Sequence, residues 1–179
     1  TAEKGEPGQE FTIRLELKLI AYVGLVGLPN AGKSSILAAT TNSRPKIADY
    51  PFTTLEPNLG VVKLDQDSSF VMADIPGLIE GASMGIGLGF DFLRHIQRTR
   101  LLIHVLDGLS EDPLDDYHTI NAELEHFDDL LGKRPQIVVL NKMDLPDVVA
   151  KFETLRAEFK SLGVELMPIS AVSQFNLKE

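Results

Sequence analysis

The sequence contains no cysteine, so neither a disulfide framework nor a thiolate metal site is available to it. No apolar run approaches the roughly 18 residues needed to span a bilayer. No signal-peptide pattern opens the chain; Thr1 to Gly8 is polar and reads as a linker. These absences fit a cytoplasmic location. A surplus of positive charge is missing too. The formal net charge of −9 argues against a diffuse grip on nucleic acid, so an RNA-rich partner would need a local basic patch or another domain. Internal repeats and low-complexity tracts are absent. What remains is the profile of a globular domain: 179 residues, 44% hydrophobic and 24% charged.

The most informative stretch is Gly27-Leu28-Pro29-Asn30-Ala31-Gly32-Lys33-Ser34-Ser35, which matches the phosphate-binding loop pattern G-x-x-x-x-G-K-[ST]. Gly27 and Gly32 let the backbone curl so that successive N–H groups point into one concavity. Lys33 brings a mobile positive charge to the β- and γ-phosphates. The Ser34 hydroxyl can ligate Mg²⁺, and a helix starting here adds its positive dipole end. An apolar run, Ile20 to Val26, precedes the loop as a buried strand, and Ser35 to Ala39 follows as helix. That context separates the loop from an ordinary glycine turn.

The rest of the chain alternates strand and helix patterns. Residues 10–19 alternate apolar and polar with period two: either a long first strand or, as favoured for residues 1–16, the tail of an upstream domain, leaving 17–179 as the main domain. Asn42 to Pro57, with three prolines, reads as a long functional loop. Leu59–Leu64 and Ser69–Asp74 form a strand pair, and Ile75–Gly89, with five glycines, is expected to be flexible. Helices are expected at Phe90–Arg98, Pro113–Leu131 and Val148–Leu162, and strands at Leu101–Leu106, Gln136–Leu140 and Val164–Ile169. The alternation implies an α/β domain whose largely parallel sheet is covered on both faces. A closing helix beyond Glu179 is expected, because the last strand otherwise has an uncovered face.

Four further signatures carry chemistry. Asp74-Ile75-Pro76-Gly77 ends a strand; its acid can hold a water of the Mg²⁺ shell, and Gly77 can offer a bare N–H to a γ-phosphate. Asn141-Lys142-Met143-Asp144 follows another buried strand. A carboxylate such as Asp144 can accept from guanine N1–H and the exocyclic amine, whereas adenine would leave it unpaired. Asn141 can reach guanine N7 and tie the phosphate loop to this one, and the Lys142 stem can lie over the base. Ser170-Ala171 can supply a backbone N–H to guanine O6. In the long loop, Thr53 and Thr54 are either locally bonded threonines or ligands; Thr54 is the residue expected to reach Mg²⁺ when a γ-phosphate draws the loop in. Phe52, Leu145 and Val172 are expected to complete the nucleotide contacts, with Lys33, Thr54 and Gly77 as the catalytic set. Histidines 95, 104, 118 and 126 read as structural or surface groups, and Arg94, Arg98 and Arg100 as a solvated helix face rather than an RNA contact.

These signatures occur in the order found in translation-factor-related GTPases. More specifically, G-L-P-N-A-G-K-S, the Asp49–Gly60 run D-Y-P-F-T-T-L-E-P-N-L-G, D-I-P-G-L-I-E-G-A at Asp74–Ala82, G-x-G-L-G-x-x-F-L-R-H at Gly85–His95 and L-E-L-K-L-I-A-x-V-G-L-V-G resemble the Obg family over essentially the whole chain. Tyr22 stands where an acid is common. The resemblance implies a P-loop, Ras-like six-stranded sheet with one antiparallel strand, slow GTP hydrolysis, and a role as a switch in large ribosomal subunit assembly. It also implies an N-terminal glycine-rich domain, of which residues 1–16 resemble the end, and a variable C-terminal domain. Implied ligands are GTP, GDP and guanosine tetraphosphate with Mg²⁺; the ribosome would be met through the flanking domains. In potassium-activated GTPases that resemble this chain, an Asn at the place of Asn30 ligates K⁺. Two other readings stay open: a guanine-nucleotide-sensing module with incidental turnover, favoured by Leu78 in place of a water-orienting Gln, and an ATPase relative, opposed by Asp144.

Overall fold

Val23–Val26 (β1) is buried along its whole length, as a central strand of a parallel sheet must be. The structure, a computed structural model, describes residues 21–41, 46–47, 58–74 and 99–177. The strand pattern at residues 10–19, the glycine-rich Ile75–Gly89 and the helix pattern Phe90–Arg98 lie outside the described residues. In chain order the elements are β1, α1 (Lys33–Thr40), β2 (Lys46–Ile47), β3 (Asn58–Lys63), β4 (Ser69–Asp74), β5 (Leu101–Asp107), α2 (Pro113–Phe127), α3 (Asp129–Gly132), β6 (Gln136–Asn141), α4 (Pro146–Ser161) and β7 (Leu166–Pro168).

The strands form one sheet in the order β2-β3-β4-β1-β5-β6-β7. Six are those expected from sequence; β2 is a two-residue addition at the edge. Pairing is parallel from β4 through β7, and β3 alone runs against the rest, joined to β4 in the register Asn58↔Asp74 to Lys63↔Ser69. Alternate side chains of the sheet feed two cores. Val23, Leu25, Val105 and Val139 meet Ile36 and Leu37 of α1. On the other face Leu106, Val138 and Leu140 meet Val148, Phe152, Leu155 and Phe159 of α4, with Leu114 and Tyr117 of α2 packed alongside. Each fully buried Leu or Phe contributes about 1.5–3 kcal/mol of apolar transfer free energy. Because α1, which follows β1, packs on one face of the sheet and α2, which follows the neighbouring β5, on the other, the loops after β1 and β5 diverge and leave a crevice at the strands' carboxyl ends.

The expected helix Pro113–Leu131 is two helices. Asp112 caps the first by accepting from the N–H groups of Leu114 (3.1 Å) and Asp115 (3.0 Å), with Pro113 in the first turn. At Asp128 the backbone turns extended (φ −158°, ψ 120°), and its carboxylate accepts from Leu130 N–H at 2.8 Å to start α3. The apolar spacing continues across the break, so periodicity alone could not reveal it; an Asp side chain competing for backbone N–H groups decided it. The last strand is shorter than Val164–Ile169: Val164 N–H bonds back to Phe159 (3.0 Å) as part of the α4 terminus, and Pro168, which has no N–H, ends the strand. Among the described residues no helix is long and apolar enough to cross a membrane.

His104, wholly buried on β5, is a structural histidine as expected. Its ring stacks on Tyr117 (centroids 5.2 Å apart), and Nδ1 lies 3.3 Å from Gln136 Oε1. Gln136 Nε2 donates to Asn121 Oδ1 at 2.7 Å, so its carbonyl faces the imidazole and Nδ1 carries the proton. Nε2 has no partner among the described residues. Burial pushes the pKa of His104 from 6.5 down to about 4. The unfolded chain therefore takes up this proton near pH 6.5 while the native state does not until about pH 4. The associated stability is fully present above pH 6.5 and is lost as pH falls toward 4. The stability of wild type relative to His104→Leu should fall by about 3 kcal/mol between pH 7.5 and pH 4 in urea unfolding. A pH-independent difference would mean that the native imidazole titrates normally.

Candidate functional site

The carboxyl ends of β1, β4, β5, β6 and β7 bring together the loops singled out in the sequence. After Val26 the chain turns at Gly27 (φ 151°), where a Cβ would meet the Val105 carbonyl; the loop thus lies across the end of β5. Gly32 (φ 99°) packs against the Asn141 side-chain amide, again leaving no room for a Cβ. It is also the N-cap of α1, with no side-chain cap and no acid in the first turn, so the first N–H groups of the helix remain open to an anion. Pro29 and Asn30 are exposed, Leu28 is half-buried, and Asn30 adopts a left-handed conformation (φ 64°) that Asn tolerates.

Lys33 Nζ donates to the carbonyls of Gly27 and Leu28, both at 2.9 Å, and so bridges the loop from inside. Burial lowers the Lys33 pKa, and the charge of Asp74 offsets part of that effect. An ammonium held this way has shed part of its hydration and attracts an anion more strongly than one in bulk water. Ser34 Oγ donates to Asp74 Oδ2, joining the phosphate loop to the end of β4. The other oxygen, Asp74 Oδ1, is buried with no partner among the described residues. A hydroxyl and a carboxylate with a spare buried oxygen suit Mg²⁺, a hard ion that takes oxygen ligands and keeps several waters. Ser34 would ligate it directly and Asp74 through a water.

Asn141 is almost fully buried. Its Nδ2 donates to Ala31 O at 2.9 Å, and its Oδ1 accepts from Ala171 N–H at 3.0 Å. One side chain thus locks the phosphate loop to the loops after β6 and β7. Asp144 is exposed, and its Oδ1 accepts from the buried Ser170 hydroxyl at 2.6 Å, which orients the carboxylate. Lys142 lies in the left-handed region (φ 71°) with Nζ 2.7 Å from Asp107 Oδ2. Leu145 N–H bonds to Lys142 O at 3.0 Å and leads into α4, while Val172 is 82% exposed at the tip of the last loop.

One detail differs from the sequence reading. Both N–H groups of Ser170-Ala171 are engaged, that of Ser170 with Phe175 O (3.1 Å) and that of Ala171 with Asn141, so neither points freely at a base. A carbonyl such as guanine O6 would have to share the Ala171 N–H with Asn141. Phe52, Thr53, Thr54 and Gly77 lie outside the described residues. The sequence reading missed Asp107, which closes β5 beside Gly108; nothing in its own stretch records the contact with Lys142. A surface groove of about 660 Å³ lined by Glu153, Arg156, Lys160 and Leu166 shares no residue with these loops.

Sheet order, glycine-bounded phosphate loop and strand-end loops define a P-loop GTPase domain of Ras-like organisation. Residues 22–142 match the family described as 50S ribosome-binding GTPase, and the chain belongs to that family. It is 54% identical to GTPase Obg of Lactiplantibacillus plantarum, over 99% of this chain and 43% of that protein. With GTPase Obg of Caldanaerobacter subterraneus the identity is 58%, over 98% of this chain and 42% of that protein. The chain thus spans about two fifths of the length of these relatives. Among solved structures, the G domain of the T. maritima FeoB iron transporter is similar with a TM-score of 0.62 at 22% identity, covering 89% of this chain and 92% of that one. Aquifex aeolicus Era bound to GDP and AlF4− has a TM-score of 0.58 at 24% identity, covering 88% and 53%. Both likenesses concern the fold.

The Asn141 bridge can be tested without any ligand. Asn141→Ala strands the Ala31 carbonyl and the Ala171 N–H, and should lower unfolding stability by about 3 kcal/mol in urea titration of nucleotide-free protein. A loss under about 1 kcal/mol would show that water replaces the bridge.

Proposed function

We propose that this chain binds GTP and GDP with Mg²⁺, hydrolyses GTP slowly to GDP and phosphate, and uses the difference between the two states as a switch in large ribosomal subunit assembly. The observation that carries the reading is the Asn141 bridge together with Asp144 held by Ser170: a phosphate cradle and a carboxylate suited to guanine share one rigid support. Lys33 would leave its carbonyl perches for the β- and γ-phosphates, and the open N–H groups of the loop and α1 would hold the remaining oxygens. Magnesium, when bound, neutralises charge on the phosphate oxygens. Ser34 and Asp74 are the residues placed to hold it, with Thr54 joining in the GTP state. Gly77 would offer its N–H to the γ-phosphate. In this proposal residues 1–16 form a separate tail, and ribosome contact is made chiefly by parts of the relatives beyond the span matched here, as suits a chain of net charge −9. Guanosine tetraphosphate would compete for the same site.

Leu78 follows Gly77, and its side chain cannot orient an attacking water. This favours the second reading, a sensor of guanine nucleotide whose turnover is incidental. In the hydrolytic reading, charge neutralisation must then carry more of the barrier. Asn30 is proposed to assist by ligating K⁺ through its amide oxygen, since it stands exposed on the phosphate loop.

GTP and GDP should raise the melting temperature in the presence of Mg²⁺, and ATP should not. Asp144→Asn should move the preference from guanine toward xanthine, whose C2 carbonyl needs a donor. Equal protection by ATP would sink the guanine assignment. GTP turnover should be faster in K⁺ than in Na⁺ at matched ionic strength, and Asn30→Ala should erase that advantage while leaving GDP affinity within a few-fold. Identical wild-type rates in the two salts would remove K⁺ from the mechanism.

A further inference from the structure

Lysine rarely occupies the left-handed region, where Cβ crowds the following carbonyl, yet Lys142 has φ 71°. Backbone bonds hold the strand end on either side of it. Asn141 O accepts from Gly108 N–H (3.1 Å), Lys142 O from Leu145 N–H (3.0 Å), and Met143 N–H donates to Ile169 O (3.1 Å). The side chain is held as firmly. Asp107 is the register partner of Asn141 across β5 and β6, so its carboxylate needs to reach only one residue further along. Asp107 Oδ1 accepts from Leu109 N–H at 2.8 Å, which fixes the carboxylate in its own turn, and Oδ2 takes the Lys142 ammonium at 2.7 Å. The two side chains are only 18% and 25% exposed, so this charge-assisted contact is shielded from water and salt more than a surface pair would be.

The carboxylate nearest to Lys142 in sequence is that of Asp144, two residues along the same loop. A lysine that swung to Asp144 would neutralise the carboxylate on which guanine selection depends. With Asp107 in place, the opposite charges of the loop are sorted into two independent pairs: Lys142 with Asp107, and Asp144 with the neutral hydroxyl of Ser170. The stem of Lys142, anchored at both ends, becomes a fixed wall rather than a flexible chain that must be ordered on binding. We infer that Asp107 is a positioning residue for guanine selectivity: it holds the Lys142 ammonium away from Asp144 and leaves that carboxylate free to read the exocyclic amine of the base. This inference rests on the guanine-nucleotide reading given above.

Asp107→Asn tests it with little structural damage, because an amide oxygen can still accept from Leu109 N–H while the charge is lost. The dissociation constants of GDP, IDP and ADP would be measured with Mg²⁺ for wild type, Asp107→Asn, Lys142→Ala and the double variant, alongside melting without nucleotide. IDP lacks only the 2-amino group that Asp144 would read. Asp107→Asn should weaken GDP about tenfold and IDP much less, so that the GDP-over-IDP preference collapses. The double variant should regain most of that preference, because the released ammonium is gone. A merely structural tie between β5 and β6 would weaken GDP and IDP equally; that result, or a double variant no more selective than Asp107→Asn, overturns the inference. A wild type that does not prefer GDP to ADP would instead remove the guanine reading itself.

Discussion

The side chain of Asn141 is the joint on which the site depends. A single buried amide gives a hydrogen to the carbonyl of Ala31 and takes one from the N–H of Ala171. Three chain segments, separated by 110 and 30 positions, meet at that one group. Its burial makes the contact consequential, since a backbone carbonyl or N–H left unpaired in the interior forfeits its hydration without return. Gly32 belongs to the same joint: any side chain there would occupy the place of the Asn141 amide. The phosphate loop and the loops after β6 and β7 are therefore one object and not neighbouring, independent loops.

Charge is distributed around that joint in a consistent way. Lys33, Ser34 and Asp74 form one group, in which the ammonium rests on loop carbonyls and the carboxylate retains an unpartnered buried oxygen. Lys142, Asp107, Asp144 and Ser170 form another, in which each carboxylate has a designated partner. In both, groups that would be costly to bury alone are partly satisfied by the protein and partly available to a ligand. Most carry their strain or open valence where a nucleotide would arrive, and the hydrophobic layers on both faces of the sheet supply the stability that makes this tolerable.

Much of this was legible in the residues. Six strands and the helix beginning at Lys33 follow from apolar runs, period-two stretches and turn residues; the differences lie at ends. The break at Asp128 and the short β7 were not legible, because each depends on a competition between side-chain or prolyl chemistry and the regular ladder that apolar spacing does not record. The candidate residues in the phosphate loop, at Asp74 and in the Asn141–Asp144 loop stand out in the sequence because the chemistry proposed for them demands particular residue types at fixed spacing. Asp107 does not, because its meaning is its distance to Lys142, 35 positions away.

Short stretches of the chain already carry the chemical vocabulary: two glycines where the backbone must curl, a lysine and a hydroxyl beside them, and acids and amides at the ends of apolar strands. Those choices are local, and local sterics and donor–acceptor chemistry suffice to read them. The connections within that vocabulary come from the folded sheet. It set which N–H of Ser170 and Ala171 is already taken, which oxygen of Asp74 is left over, and which acid Lys142 holds. Each of these follows from strand order and register, because parallel pairing of β1 with β4, of β5 with β6 and of β6 with β7 brings residues distant in the chain to hydrogen-bonding range. Such proximity is a property of the sheet and has no counterpart in any short stretch of the chain.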